Sequence, residues 1–196
     1  VPVDVTYTLR KKNRIGIGVG ASTDLGPRAQ VQWEKPWLNE RGHSLNTYAE
    51  VSGIRSQVEA SYLVPLTDPV NAQMAFTYGL QFEDLNDHEA WLTTAGIEHR
   101  KRLPSQWRVI RALELEQETD DFVTFKTRTT LLMPGVTLTR TESEGSPLVE
   151  HGWRVRGELK GAADALGSDA DMLRATFDAK GIYTLFPRVR TTLRAG

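Results

Sequence analysis

Apolar and polar residues alternate along most of this chain. The alternation is cleanest over 72–83, where Ala72, Met74, Phe76, Tyr78, Leu80 and Phe82 are interleaved with Gln73, Ala75, Thr77, Gly79, Gln81 and Glu83. A period of two sends successive side chains to opposite faces of a β-strand, so one face of this segment is greasy and the other wet. The same period returns in 173–185, with Leu173, Ala175, Phe177, Ala179, Tyr183 and Leu185 against Arg174, Thr176, Asp178, Lys180 and Thr184. It returns again in 153–161, where Trp153, Val155 and Leu159 oppose Arg154, Arg156, Glu158 and Lys160. Weaker copies lie at 28–34, 45–51, 57–64, 91–100, 107–116, 128–140 and 188–195; Arg111 interrupts the apolar face of its own segment, which leaves the register there open. Turn-forming sequences separate them, among them Asp24-Leu-Gly-Pro27, Asp68-Pro69, Asp84-Leu-Asn-Asp87 and Gly145-Ser-Pro147. No stretch carries a 3.6-residue period. The pattern predicts an all-β chain of about eleven consecutive antiparallel strands with essentially no helix.

Alternation alone does not say which face is inside. A soluble barrel such as a lipocalin turns its apolar face inward and a membrane barrel turns it outward. Two features favour the membrane barrel. Segments 72–83 and 173–185 exceed the roughly nine to eleven residues that a tilted strand needs to cross a bilayer, whereas an average strand has about five or six. Aromatic residues also gather near strand ends, as Trp33, Trp37, Tyr62, Phe82, Trp91, Trp107, Trp153, Tyr183 and Phe186, which suits interfacial girdles. Of these, Trp33, Trp37, Trp107, Trp153 and Tyr183 are the expected interfacial anchors. The wet face mixes both signs of charge, a composition that fits a hydrated lumen cross-linked by ion pairs and fits equally the outside of a soluble barrel.

Composition narrows the function classes. The chain has 196 residues, 24 basic against 25 acidic for a net charge of -1, and no cysteine. That balance argues against a nucleic-acid partner held by phosphate neutralisation. The mean hydropathy is -0.40, and no apolar run approaches the roughly 20 residues of a membrane helix; neither fact bears on a membrane barrel, whose two faces average out as polar. The chain begins Val1-Pro2-Val3 rather than with methionine, and is expected to be a piece of something longer.

Candidate chemistry is sparse. Ile15-Gly-Ile-Gly-Val-Gly20 superficially resembles a phosphate loop, but Gly16, Gly18 and Gly20 recur at the strand period, and no amphipathic helix follows. The glycines either weaken the strand or let it bend and pass close under a neighbour. His43, His88, His99 and His151 lack metal-ligand spacing and are read as surface residues, while Asp169-Ala-Asp171 lacks the glycine and glutamate of a calcium loop and reads as a hairpin tip. No metal, cofactor or enzyme chemistry is expected, since no nucleophile elbow or hydrolase arrangement occurs. Pro134-Gly135 is expected to mark a β-bulge.

The strings Gly18-Val-Gly-Ala-Ser-Thr-Asp-Leu-Gly-Pro-Arg28, Trp33-Glu-Lys-Pro-Trp-Leu-Asn39 and Gly42-His-Ser44 resemble the TamA family, the barrel subunits of the bacterial translocation and assembly module. Asp84-Leu-Asn-Asp87, Pro134-Gly-Val136 with Thr139-Arg-Thr141, and Gly167-Ser-Asp-Ala-Asp171 resemble the same family in the same order. BamA and the two-partner secretion transporters share the architecture but not these strings. The resemblance implies a sixteen-stranded outer-membrane barrel preceded by periplasmic POTRA domains. Residues 1–13 would then be the end of the last POTRA domain and the hinge, and 14–196 the first eleven strands, with an inward-folded loop and five more strands following. It implies a lateral seam at the first strand, Ile15, Gly16, Ile17, Gly18, Val19 and Gly20, through which client β-barrel or autotransporter strands, or lipids, enter the outer membrane. It also implies a TamB-like periplasmic partner and contact with outer-membrane lipids. A passive solute pore is the alternative function.

Overall fold

The computed structural model describes residues 12–23, 26–85, 88–122, 124–144, 150–186 and 189–196. Eleven strands follow one another: β1 (Arg14–Ser22), β2 (Gly26–Lys35), β3 (Ser44–Ser52), β4 (Arg55–Pro65), β5 (Ala72–Leu85), β6 (His88–Arg102), β7 (Arg108–Phe122), β8 (Lys126–Glu144), β9 (His151–Ala162), β10 (Met172–Phe186) and β11 (Val189–Ala195). Each pairs antiparallel with the next in chain order, in one open sheet. Among the described residues the helical content is one 3-10 turn, Asp164–Leu166, in the β9–β10 connection. The all-β reading and the strand order are those the alternation predicts. The segment expected as a hinge lies outside the described residues up to position 11, and the turns at 24–27, 84–87 and 145–147 lie wholly or partly outside them.

Register makes each face continuous. Ile17 stands opposite Val31, Val31 opposite Ala49, Ala49 opposite Val58 and Val58 opposite Leu80. One row over, Tyr62, Phe76, Ile97 and Leu113 are successive partners. The other face carries Gln32, Tyr48, Glu59, Gly79 and Thr94 in one such row. The apolar face is the accessible one: Phe76 is 41% exposed and Ile17 80%. In the central strands the opposite face is the more sheltered one, with Ala75 at 0%, Met133 at 2% and the carboxylate-bearing Glu50 at 7%, whereas in β1, β2 and β10 both faces are largely open. A soluble barrel has these two faces the other way round.

Ion pairs lace the sheltered face. Arg55 binds Glu83 at 2.5 Å, Arg100 binds Glu98 at 2.6 Å, Arg156 binds Glu158 at 2.5 Å, and Lys160 reaches across β8 to Glu114 at 3.3 Å. Such pairs are partly desolvated by the wall around them, which lowers the local dielectric and strengthens them relative to pairs in open water.

Three local expectations change. Pro134-Gly135 forms no bulge: Pro134 faces Leu113 and Gly135 faces Ala112 without a break in the β7–β8 ladder. The proline is tolerated because β8 pairs with β9 only from Gly135 onward. The amides of Thr130 and Leu132, which point to that same edge, are bonded instead to Asp169 Oδ2 at 2.6 Å and Ser168 Oγ at 2.9 Å. Pro134 therefore withholds its donor where no ladder partner stands. Arg111 does not disturb its strand's register; it faces His99 and Val136, with its guanidinium 3.4 Å from His99 Nδ1. The histidines are half-buried rather than open surface residues, and His43 meets the Tyr62 hydroxyl at 2.5 Å while His88 meets Asp120 at 2.9 Å.

Candidate functional site

The glycine-bearing strand β1 pairs with β2 in an unbroken register, Ile15 opposite Trp33, Gly16 opposite Gln32, Gly18 opposite Gln30 and Gly20 opposite Arg28. Ile15, Ile17 and Val19 project from the accessible apolar face and are among its most exposed residues. The glycines fall on the polar face, which is open at this edge of the sheet and where β2 carries long side chains. Among the described residues β1 is bonded along one edge, to β2, so its other edge presents the backbone donors and acceptors that a further strand uses in β-augmentation.

The three glycines differ. A Cβ at Gly18 would lie 2.7 Å from Gln30 Nε2 and 2.9 Å from its Cγ, so Gln30 lies directly over this residue. At Gly16 the nearest atom would be Gln32 Cβ at 3.9 Å, an ordinary contact, and at Gly20 it would be Arg28 Nε at 3.4 Å. Gln30 Oε1 lies 3.1 Å from the Tyr48 hydroxyl, which is 2.7 Å from Glu50 Oε2. Gly18 is therefore a close-approach site that opens a path for a β2 side chain toward β3. Gly16 has no such steric demand. Gln30 and Tyr48 are neighbours of Gly18 that residue types alone did not single out. Their place follows once the turn after Ser22 is fixed, because each glycine and its β2 partner are then equally far from the hairpin tip.

The five expected aromatic anchors gather at one end of the sheet, the end where β1 begins. Trp33 and Tyr183 stand near the ends of β2 and β10, Trp153 near the start of β9, and Trp37 and Trp107 in the β2–β3 and β6–β7 connections. Trp33 Nε1 donates to Asn13 Oδ1 at 3.3 Å, tying this anchor to the residue before β1. Trp107 and Trp153 flank the Arg140 guanidinium, at 6.0 and 5.3 Å from their ring centroids, and Arg140 also pairs with Glu142. A cation held between two indoles on an apolar face keeps its charge near water while its stem lies on grease. At the far end, Phe82 and Trp91 pair across β5 and β6 with ring centroids 4.6 Å apart. Arg140 is the member of the near-end cluster that alternation could not reveal, since it occupies an outward position, opposite Val155, on a face where apolar residues predominate.

No protein-family model matches the chain. Among solved structures it is similar to BamA from Haemophilus ducreyi, in a crystal structure lacking POTRA domains 1–3, with a TM-score of 0.71 at 11% sequence identity. The match covers 91% of this chain and 38% of that one, so the chain spans less than half the length of the protein it matches. The likeness is one of fold: eleven consecutive antiparallel strands in one open sheet that correspond to part of a BamA barrel.

Proposed function

We propose that this chain is the N-terminal part of the barrel of a TamA-type assembly factor in the bacterial outer membrane, with its N-terminus periplasmic. In this reading the barrel helps insert or secrete other β-barrel proteins, autotransporters in particular, through a seam at β1. The observation that carries the reading is the inverted wall, with large apolar side chains exposed along consecutive strands and ion-paired charges on the opposite face. A bilayer is the environment in which that inversion lowers free energy, since apolar side chains then leave water and the ion-paired face stays hydrated. The near-end aromatics with their embedded Arg140 fit a membrane–water interface, and the strings that resemble the TamA family supply the specific assignment. A TamB-like periplasmic protein, reached through POTRA domains preceding this segment, and traffic of phospholipids belong to the same reading.

Photo-crosslinking in outer-membrane vesicles tests it, with full-length protein carrying one photo-crosslinker at Ile17 or, as a mid-wall control, at Phe76. Adducts to a nascent autotransporter strand at Ile17 and not at Phe76 are expected. Lipid adducts alone, equal at the two positions, would remove the seam from the mechanism. A passive pore, favoured by the charged sheltered face, predicts instead solute-selective conductance and no client adducts at either position.

A further inference from the structure

We infer that the polar face carries a phosphate-binding site at the end of the sheet where β1 begins, built from Arg102, Arg108, Arg154, Thr139, Thr141 and Gln106. These six residues line an open cavity of about 140 Å³ with no carboxylate in its lining; Thr139 is half-buried and the other five are exposed. Register explains why they converge: Arg102 faces Arg108, Arg108 faces Thr139, and Arg154 faces Thr141. Like charges placed directly across a ladder repel each other, so the arrangement costs stability unless an anion supplies the missing charge.

On the flanking positions of β6 and β9 the cations are already neutralised, Arg100 by Glu98 and Arg156 by Glu158, while Lys180 of β10 faces Arg154 and adds to the positive charge. Among the described residues Arg102, Arg108 and Arg154 have no carboxylate partner; Arg102 donates only to the side-chain oxygen of Gln106, at 2.7 Å. Gln106 is the one non-glycine residue described with a left-handed backbone, at φ 66°. That conformation is strained for a residue with a Cβ and persists where the surroundings impose it, often at ligand sites. Here it closes the turn, whose amides bond Gln106 to Leu103 and Leu103 to Trp107, and it sets the Gln106 amide beside Arg102. The cavity thus offers three guanidinium forks, two hydroxyls and a side-chain amide. A carboxylate has two oxygens to satisfy and a phosphate has three or four, with up to two negative charges, so the donor count matches phosphate. The same chemistry is presented by a phospholipid headgroup and by a soluble phosphate. The site rests on the wall geometry alone and does not depend on the seam.

Calorimetry on the full-length protein in a non-ionic detergent tests the proposal with three probes: inorganic phosphate, a short-chain phosphatidylglycerol below its micellar concentration, and an acidic peptide of alternating Asp and Glu. The expected result is binding of at least one phosphate probe, weakened at least about tenfold in R108Q/R154Q because two charge-assisted contacts are lost. The double variant R174Q/R190Q, which removes two cations from the same face outside the cavity, is expected to bind as the parent does. Binding of the phosphatidylglycerol without inorganic phosphate assigns a headgroup site, and the reverse assigns a soluble phosphate. The proposal is overturned if neither phosphate probe binds, if both double variants weaken binding equally, or if only the acidic peptide binds. Should R108Q/R154Q fail to migrate as a folded barrel, T139V/T141V replaces it with the same expected loss and the same readings.

Discussion

The hairpins β1–β2 and β7–β8 are built from the same alternation but held in different ways. Strands β1 and β2 have 9 and 10 residues, and their polar face meets over glycine. The side-chain ion pair between them is Arg14–Glu34, at 3.5 Å and half exposed, which contributes little in such a setting. Strands β7 and β8 have 15 and 19 residues. They bury Met133, they are spanned by the Lys160–Glu114 bridge, and the β9–β10 connection bonds the free edge of β8. A barrel wall needs the second kind of hairpin everywhere except where it must open. The contrast leaves β1 the strand with fewer side-chain supports, which is what the proposed seam would require.

The contrast breaks most visibly at Met133, the largest fully buried side chain. Truncation to alanine is expected to cost about 2–5 kcal/mol, as a buried methionine does. Ile17→Ala, on an outward β1 position with no packed neighbours around it, is expected to cost less, about 1–2 kcal/mol, from the lost apolar transfer alone and with no cavity left behind. Urea unfolding of the full-length barrel in lipid vesicles measures both. Equal losses would mean that the two hairpins are supported alike.

The edge of β8 gives the next effect. Ser168→Ala and Asp169→Ala remove the acceptors of the Leu132 and Thr130 amides, and each amide left without a partner is expected to cost about 1–3 kcal/mol. The loss should be local, read as faster hydrogen exchange at residues 130 and 132 with β1 unaffected. Unchanged exchange would show that solvent or the Asp169 backbone replaces the lost bonds.

Much of this wall was legible in the sequence, and the parts that were not share a cause. Period-two alternation located all eleven strands because each one has an apolar face to report. It stopped short in β7, where Glu116–Asp121 continues the strand with polar residues toward both faces. It expected a bulge at Pro134 because the Ser168 and Asp169 bonds that relieve that edge join residues 36 and 39 positions apart. At β1 the glycines were legible as a weak strand or a close approach; the choice between these rested on where the Gln30 side chain goes. The phosphate cavity was hidden for a related reason: its arginines come from three strands whose register had to be known first.

Gly18 and Gln30 then separate packing from flexibility within β1. Gly18→Ala drives Gln30 off its place beside Tyr48, and a lost hydrogen bond of about 0.5–1.5 kcal/mol offsets the gain of about 0.5–1 kcal/mol from removing a strand glycine. The single variant is expected to be near neutral, and the same substitution in a Gln30→Ala background is expected to be stabilising. A double-mutant cycle without coupling would mean that Gln30 does not hold this position in the membrane.

Gly16 carries the smallest effect and the sharpest test of the contrast. A Cβ there meets nothing nearer than Gln32 Cβ at 3.9 Å, so Gly16→Ala adds no clash and removes backbone freedom, raising stability by about 0.5–1 kcal/mol. If β1 is a working seam, that small gain falls on the step that opens it: client insertion should slow up to about fivefold, the rate equivalent of 1 kcal/mol. The control is Gly79→Ala in the middle of the wall, where a Cβ would strike Thr94 Oγ1 at 2.5 Å and stability should fall. Slowed insertion in the stabilised β1 variant and not in the destabilised wall variant ties the rate to the seam. Slowing in both, or in neither, would make Gly16 a wall residue with no part in opening.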